Sequence, residues 1–194
     1  MKKFKLSTLA AAVMPVLILA ACGGDGNTRP TPRPRAFHRI EIPAAEYDTL
    51  TVADGVTLVT NSSARTLEKR PDGPSTWVDI VYPTLGNATI YCSVTPVTPA
   101  TATEVIDNRL ERIALNSGGY SSDLLEFSTP TGYDCRILVT GAGTATPVQF
   151  IGISEREVVS GVLMVQVADG FQPDSLAPVV DCVTRDVEML LRSL

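Results

Sequence analysis

The side chains of this chain that could carry chemistry are few and far apart. His38 is the one histidine among 194 residues. A Ser-His-Asp triad would have to use it, and no G-x-S-x-G turn is present to supply the nucleophile. Zinc needs three or four nitrogen or sulfur ligands close together. Neither a second histidine nor a cysteine lies near His38 in sequence, and Cys92, Cys135 and Cys182 stand far apart with no C-x-x-C spacing. These three are expected to be small buried apolar residues, although an oxidising compartment would permit one pair to join. Carboxylate pairs exist at Asp123 with Glu126 and at Glu155 with Glu157. Both fall where turns or edges are expected, and solvated charge is their default state; acid/base work needs carboxylates in differing, perturbed surroundings. Gly23-Gly24 and Gly141-Ala142-Gly143 lack the lysine of a phosphate loop and any strand-loop-helix dinucleotide context. The chain is therefore expected to be non-enzymatic, with no catalytic residue, metal or cofactor.

Cys22 is different, because its neighbours give it a chemistry. Lys2, Lys3 and Lys5 form a basic start, Leu6 to Ala21 carry no charge, and the apolar run ends in Leu19-Ala20-Ala21-Cys22. A basic n-region, a short apolar stretch and small residues before a cut make a secretory signal. The stretch is shorter than the roughly 20 apolar residues that span a bilayer, and Pro15 interrupts it. The last four residues resemble the lipobox of bacterial lipoprotein signals, whose cysteine is acylated on sulfur before cleavage. Residues 1–21 are thus expected to be removed and Cys22 to be the lipidation site, with membrane lipid as its partner.

Loss of residues 1–21 removes three lysines, leaving 13 basic against 21 acidic residues and taking the net charge from −5 to −8. So acidic a chain has no electrostatic footprint for nucleic acid. With 44% hydrophobic residues it has ample material for a core, and its length suits one domain. Residues 22–35, with Pro30, Pro32 and Pro34 after a Gly-rich start, read as a tether reaching about 40 Å. Arg29, Arg33 and Arg35 on it suit anionic headgroups, about 1 kcal/mol each at close range. A single domain is expected from Ala36 to Leu194.

Within that domain the patterns favour hairpins. Phe37–Ile42 reads as a first strand. Residues 50–52 and 56–60 flank the turn signal Asp54-Gly55. The polar stretch 61–75 reads as a mobile loop. Trp77–Tyr82 and Ala88–Val94 alternate around Gly86-Asn87 and make the clearest hairpin. Thr101 and Glu104 have capping-box spacing before Val105, Ile106, Leu110, Ile113 and Ala114 at helical spacing, and Gly118-Gly119 can stop that helix. Strands are expected at 124–127 and 133–139 around Pro130-Thr131-Gly132, and again at 148–153 and 158–167. The last helix aligns Leu176, Val179, Val180, Val183, Val187, Leu190, Leu191 and Leu194 on one face, with Asp174 or Ser175 as its cap and Pro178 in its first turn. The fold class is α+β, an antiparallel sheet flanked by helices.

Three stretches also carry a family resemblance. Pro32–Pro43 (PRPRAFHRIEIP) resembles the tether and first strand of the gliding-motility lipoprotein D (GldD) family of Bacteroidota. Trp77–Pro83 followed by Ala88–Val94 is similar to that family's tryptophan-led hairpin, and Ser160–Val167 followed by Pro173–Pro178 (PDSLAP) to its last strand and C-terminal helix. The chain departs from the family at Leu163, Met164 and Val165, where aromatics are usual, and at Ser154–Val158, where an Asp-Ser-x-x-His stretch is. The resemblance implies a non-enzymatic, membrane-anchored envelope lipoprotein that supports gliding motility and type IX secretion, with protein partners in that machinery. It carries over no catalytic residue. The family's element order is similar to that of PsbP-like α/β/α sandwiches. Two other readings stand beside this one: a periplasmic ligand-binding lipoprotein and, with less support, an envelope hydrolase.

Overall fold

Alternation of branched and aromatic residues with polar ones dictates strands, and every strand in this fold pairs antiparallel. The structure is a computed structural model and describes residues 40–52, 55–69, 73–141, 143–165 and 173–194. All of them lie in one compact unit, His38–Leu194. The elements in chain order are β1 (Tyr47–Thr51), β2 (Thr57–Asn61), β3 (Arg65–Lys69), β4 (Thr76–Tyr82), β5 (Ala88–Pro96), α1 (Ala102–Ser117), β6 (Asp123–Ser128), β7 (Asp134–Val139), β8 (Val148–Ile153), β9 (Glu157–Met164) and α2 (Pro173–Arg192). Strands β1 and β2 form a separate hairpin, and the other seven make one sheet in the order β3-β4-β5-β9-β8-β7-β6.

Because strand residues alternate between faces, the register sorts the sheet into two surfaces. On the first, Ile80 faces Ile90, Cys92 faces Gly161, Phe150 faces Gly161 and Ile137 faces Phe150 across adjacent strands. The apolar stripe of α2 lies on this surface. All eight stripe residues are buried there, together with Leu58 of β2. The Val59 N–H donates to Ser193 Oγ at 3.1 Å, tying the hairpin to the end of α2. Gly161 is needed for the fit: a Cβ there would lie 2.4 Å from Phe150 Cζ and 2.9 Å from the Tyr91 carbonyl oxygen. On the second surface α1 sets Ile113 against Ile151 and Val158, forming a smaller cluster. The layers are helix, sheet, helix, and the fold is α+β.

Several elements differ from the pattern reading. Residues 40–42 are not in a strand, and 37–39 lie outside the described residues; the first strand is β1, which has β2 to pair with. The polar stretch 61–75 contains β3, whose alternation is too weak to stand alone and which forms along the free edge of β4. Polar residues suit such an edge strand, since they discourage pairing with other chains. The Thr101–Glu104 capping box is not made. Thr101 Oγ1 instead accepts the Thr98 N–H at 3.0 Å, one turn before the helix. Helix α2 starts at Pro173, earlier than expected, so Pro178 lies inside it rather than in its first turn and leaves one carbonyl without its i→i−4 donor. Gly86 and Asn87 both take the left-handed conformation, at φ 67° and 59°, as their hairpin turn requires.

Candidate binding face

Helix α1 is too narrow an element to cover the second surface. Its apolar side reaches β8 and β9, and beyond it the sheet is open over β3, β4 and β5. One cross-strand row on that side runs Leu67–Asp79–Tyr91–Val162–Gln149–Leu138–Leu124, and the next contains Trp77, Ser93, Ser160 and Ile151. Trp77 and Tyr91 are each 38% exposed, and Leu67 and Met164 more so. Large apolar side chains clustered on an open sheet face, rather than scattered singly, mark a contact surface. Asp79 stands in the same row, buried and already engaged.

Where α1 meets the open half, a cleft of about 140 Å³ is lined by Trp77, Tyr91, Ser93, Arg109, Arg112 and Gln149, among others. Gln149 is 0% exposed. Its Nε2 donates to Ser117 Oγ at 3.1 Å, and that hydroxyl donates in turn to the Ile113 carbonyl at 2.9 Å. With the Ser117 proton on Ile113, the amide turns Nε2 to Ser117, and Oε1 has no donor among the described residues. Arg109 is half-buried; it reaches Thr95 Oγ1 through Nη2 at 3.3 Å, while its Nε has no acceptor. Burial, and then the neighbouring charge of Arg112, depresses its pKa. Neither arginine has a carboxylate within ion-pairing reach among the described residues. The cleft therefore offers cationic donors at its rim and one unmet acceptor in its wall.

One other polar cluster is complete in itself. Asp186, 5% exposed on α2, accepts the Tyr47 hydroxyl at 2.9 Å and the Tyr82 hydroxyl at 3.0 Å. Burial first, then the Asp186 carboxylate, raises both phenols, Tyr47 to about 12 and Tyr82 beyond the normal phenol range. This is a tie joining β1 and β4 to α2. A larger hollow of about 510 Å³ is lined by Thr57, Thr131, Tyr133, Arg156, Glu157 and Leu194. There the Tyr133 hydroxyl donates to Glu157, and Thr131 Oγ1 to the Leu194 carbonyl.

The residues singled out from sequence are not gathered into a site. Glu157 is half-buried and holds Tyr133, so solvated charge was the wrong reading for it; Glu155 is exposed. Asp123 and Glu126 are exposed on the edge strand β6, and Glu126 pairs with Arg136 at 2.9 Å. Cys92, Cys135 and Cys182 are free and buried. Burial pushes the Cys92 thiol up to about 12 and Cys135 to about 11, which makes both poor nucleophiles. No group of three potential metal ligands occurs among the described residues. Cys22 and His38 lie outside the described residues. Sequence reasoning missed Arg109, Arg112 and Gln149. One signal was available: at i±3 and i±4 the two arginines meet only Val105, Ile106, Asn108, Ile113, Leu115, Asn116 and each other, so α1 gives them no acid.

No curated protein and no solved structure matches this chain significantly. The family model described as gliding motility lipoprotein GldD matches residues 27–194. With most of its length matched, the chain belongs to the gliding motility lipoprotein GldD family.

Proposed function

We propose that this protein is a membrane-anchored envelope lipoprotein that acts by protein contact, supporting the assembly or stability of the gliding-motility and type IX secretion machinery, without catalysis. In this reading residues 1–21 are a cleaved signal, Cys22 carries lipid, 22–35 form the tether and 36–194 the working domain. The basic start and Leu19-Ala20-Ala21-Cys22 support the anchor. Among the described residues no helix is long and apolar enough to cross a membrane, so lipid is the expected attachment, and stable attachment takes more than one acyl chain. The observation that carries the contact reading is the open sheet face, with Leu67, Trp77, Tyr91 and Met164 exposed on one side. Asp25 is the only acid between Cys22 and Arg29. That favours the periplasmic face of the outer membrane over inner-membrane retention or surface display.

The test is affinity capture of the lipidated protein from its native envelope. Wild-type protein should bring motility or secretion components with it. A Trp77→Glu variant of equal abundance should stay with the membrane yet lose those components and the phenotype, whereas Cys22→Ser should lose membrane attachment. A Trp77→Glu protein that supports motility and secretion fully would remove the open face from the account. The second reading, a ligand-binding lipoprotein, is favoured by the hollow of about 510 Å³ beside Tyr133 rather than by the cleft, since pockets that enclose a small molecule usually measure roughly 300–1,000 Å³.

A further inference from the structure

We propose that the cleft between α1 and the open half of the sheet receives a single carboxylate side chain carried on an extended segment of a partner protein. Arg109 and Arg112 take the carboxylate, and Gln149 Oε1 takes a backbone N–H beside it. The proposal rests on the open face being the partner-binding surface, and adds the chemistry of what it binds.

Three observations lead there. The first is an unmet acceptor. Gln149 is fully buried, its Nε2 is taken by Ser117, and its Oε1 has no donor among the described residues. A buried amide oxygen left unpaired is costly, and a donor bound in the adjoining cleft would relieve that cost. The second is charge. Arg109 and Arg112 stand one turn apart on α1 and repel each other, with no carboxylate to relieve them among the described residues, in a chain whose net charge is −5. A planar carboxylate suits guanidinium donors. The third is size and shape. About 140 Å³ admits one side-chain head rather than a whole small molecule. The cleft opens onto the half-exposed rings of Trp77 and Tyr91, so the occupant continues along the exposed face instead of being enclosed. A peptide meets all three conditions: it supplies a carboxylate, a neighbouring N–H and a body that lies against aromatic rings.

Trp77 is the one tryptophan in the chain and lines the cleft, so its emission reports this site in the full-length protein held in mild detergent. The probe is an acetylated, amidated leucine–aspartate–leucine peptide, with leucine–asparagine–leucine, acetate and inorganic phosphate as comparisons. The aspartate peptide should change the emission saturably, and the asparagine peptide should bind at least about tenfold more weakly, since it forfeits a charge-assisted contact. Arg109→Gln should abolish the saturable change while leaving the thermal transition in place. Gln149→Leu should weaken the aspartate peptide by about tenfold, because a backbone N–H then enters the cleft unpaired. No saturable response to the aspartate peptide would overturn the proposal. So would equal binding of the asparagine peptide, or equal binding of inorganic phosphate, which would make this a free-anion site. Failure of the contact reading looks different: Trp77→Glu would then support motility and secretion in cells while the purified wild-type protein still bound the peptide.

Discussion

The two surfaces of the central sheet solve the same problem unequally. The surface under α2 is sealed: seven helix positions, Leu194 just beyond them, Leu58 of the hairpin and three thiols are buried in one cluster. Its buried carboxylate, Asp186, has both oxygens satisfied by tyrosines. The surface under α1 is half covered, with one buried helix residue, Ile113, and, among the described residues, an amide oxygen without a donor and two arginines without a carboxylate. The α2 side leaves one hydroxyl, Thr184 Oγ1, without a partner among the described residues, whereas the α1 side leaves an amide oxygen and a guanidinium nitrogen at the wall of a cleft; unmet groups beside a cleft are where a bound group can meet them. The first surface is where the fold is secured, and the second is where binding is expected.

The largest effect should come from breaking the sealed side. Leu190→Asp places a charge in the centre of the α2 stripe, at 2% exposure. The cost is on the order of 3–5 kcal/mol, against a total of about 5–15 kcal/mol for a typical domain. The protein should be depleted in cells, and chemical denaturation should show a midpoint far below wild type. The buried thiols give a parallel readout: in folded wild-type protein Cys92, Cys135 and Cys182 should react with alkylating reagent only as fast as this side opens.

A smaller loss should follow from Tyr82→Phe, which leaves Asp186 Oδ2 without its donor at a cost of about 1–3 kcal/mol. The same tie predicts an alkaline limit. In the unfolded chain Tyr47 loses its proton near 10.0, and in the folded chain only near about 12. Between those values the unfolded state binds fewer protons, so stability should be level below pH 10 and fall as pH rises toward 12. Equilibrium unfolding across that window, with Tyr47→Phe as the comparison, should show a shallower fall in the variant.

The smallest effect should lie on the open side and have the opposite sign. Gln149→Leu removes the unpaired acceptor at roughly constant volume. It also loses the bond to Ser117, so the net change should be within about 1 kcal/mol of zero and, if anything, stabilising. A denaturation midpoint that dropped as far as that of Tyr82→Phe would mean the amide serves the fold. The contrast between the two surfaces would then fail.

How much of this was legible from residues alone depends on how local the determining physics is. The α2 stripe, the Trp77–Tyr82 hairpin and the stop at Gly118 follow from periodicity and turn chemistry, which act within a few residues, and the structure has all three. The buried state of the three cysteines follows in the same way from residue type. The strand β3 was not legible, because its pairing energy comes from the edge of β4 and not from its own pattern. The capping box was misread because Thr98 competes for the Thr101 hydroxyl, and that choice depends on the path of the chain leaving β5.

The cleft lies furthest from the sequence. Arg109 and Arg112 are 37 to 40 residues before Gln149, and nothing along the chain says that they share a wall with Trp77. Sequence determined which helix could be sealed against the sheet, since an unbroken apolar stripe has only one way to leave water. It also determined, through its basic start, apolar run and Leu-Ala-Ala-Cys ending, where an anchor is to be sought. Tertiary structure decided that the shorter helix would cover only part of its surface, and so which polar groups would be buried without partners. Burial and unmet hydrogen bonds are properties of packed neighbours, and they come into being only when distant strands are brought side by side.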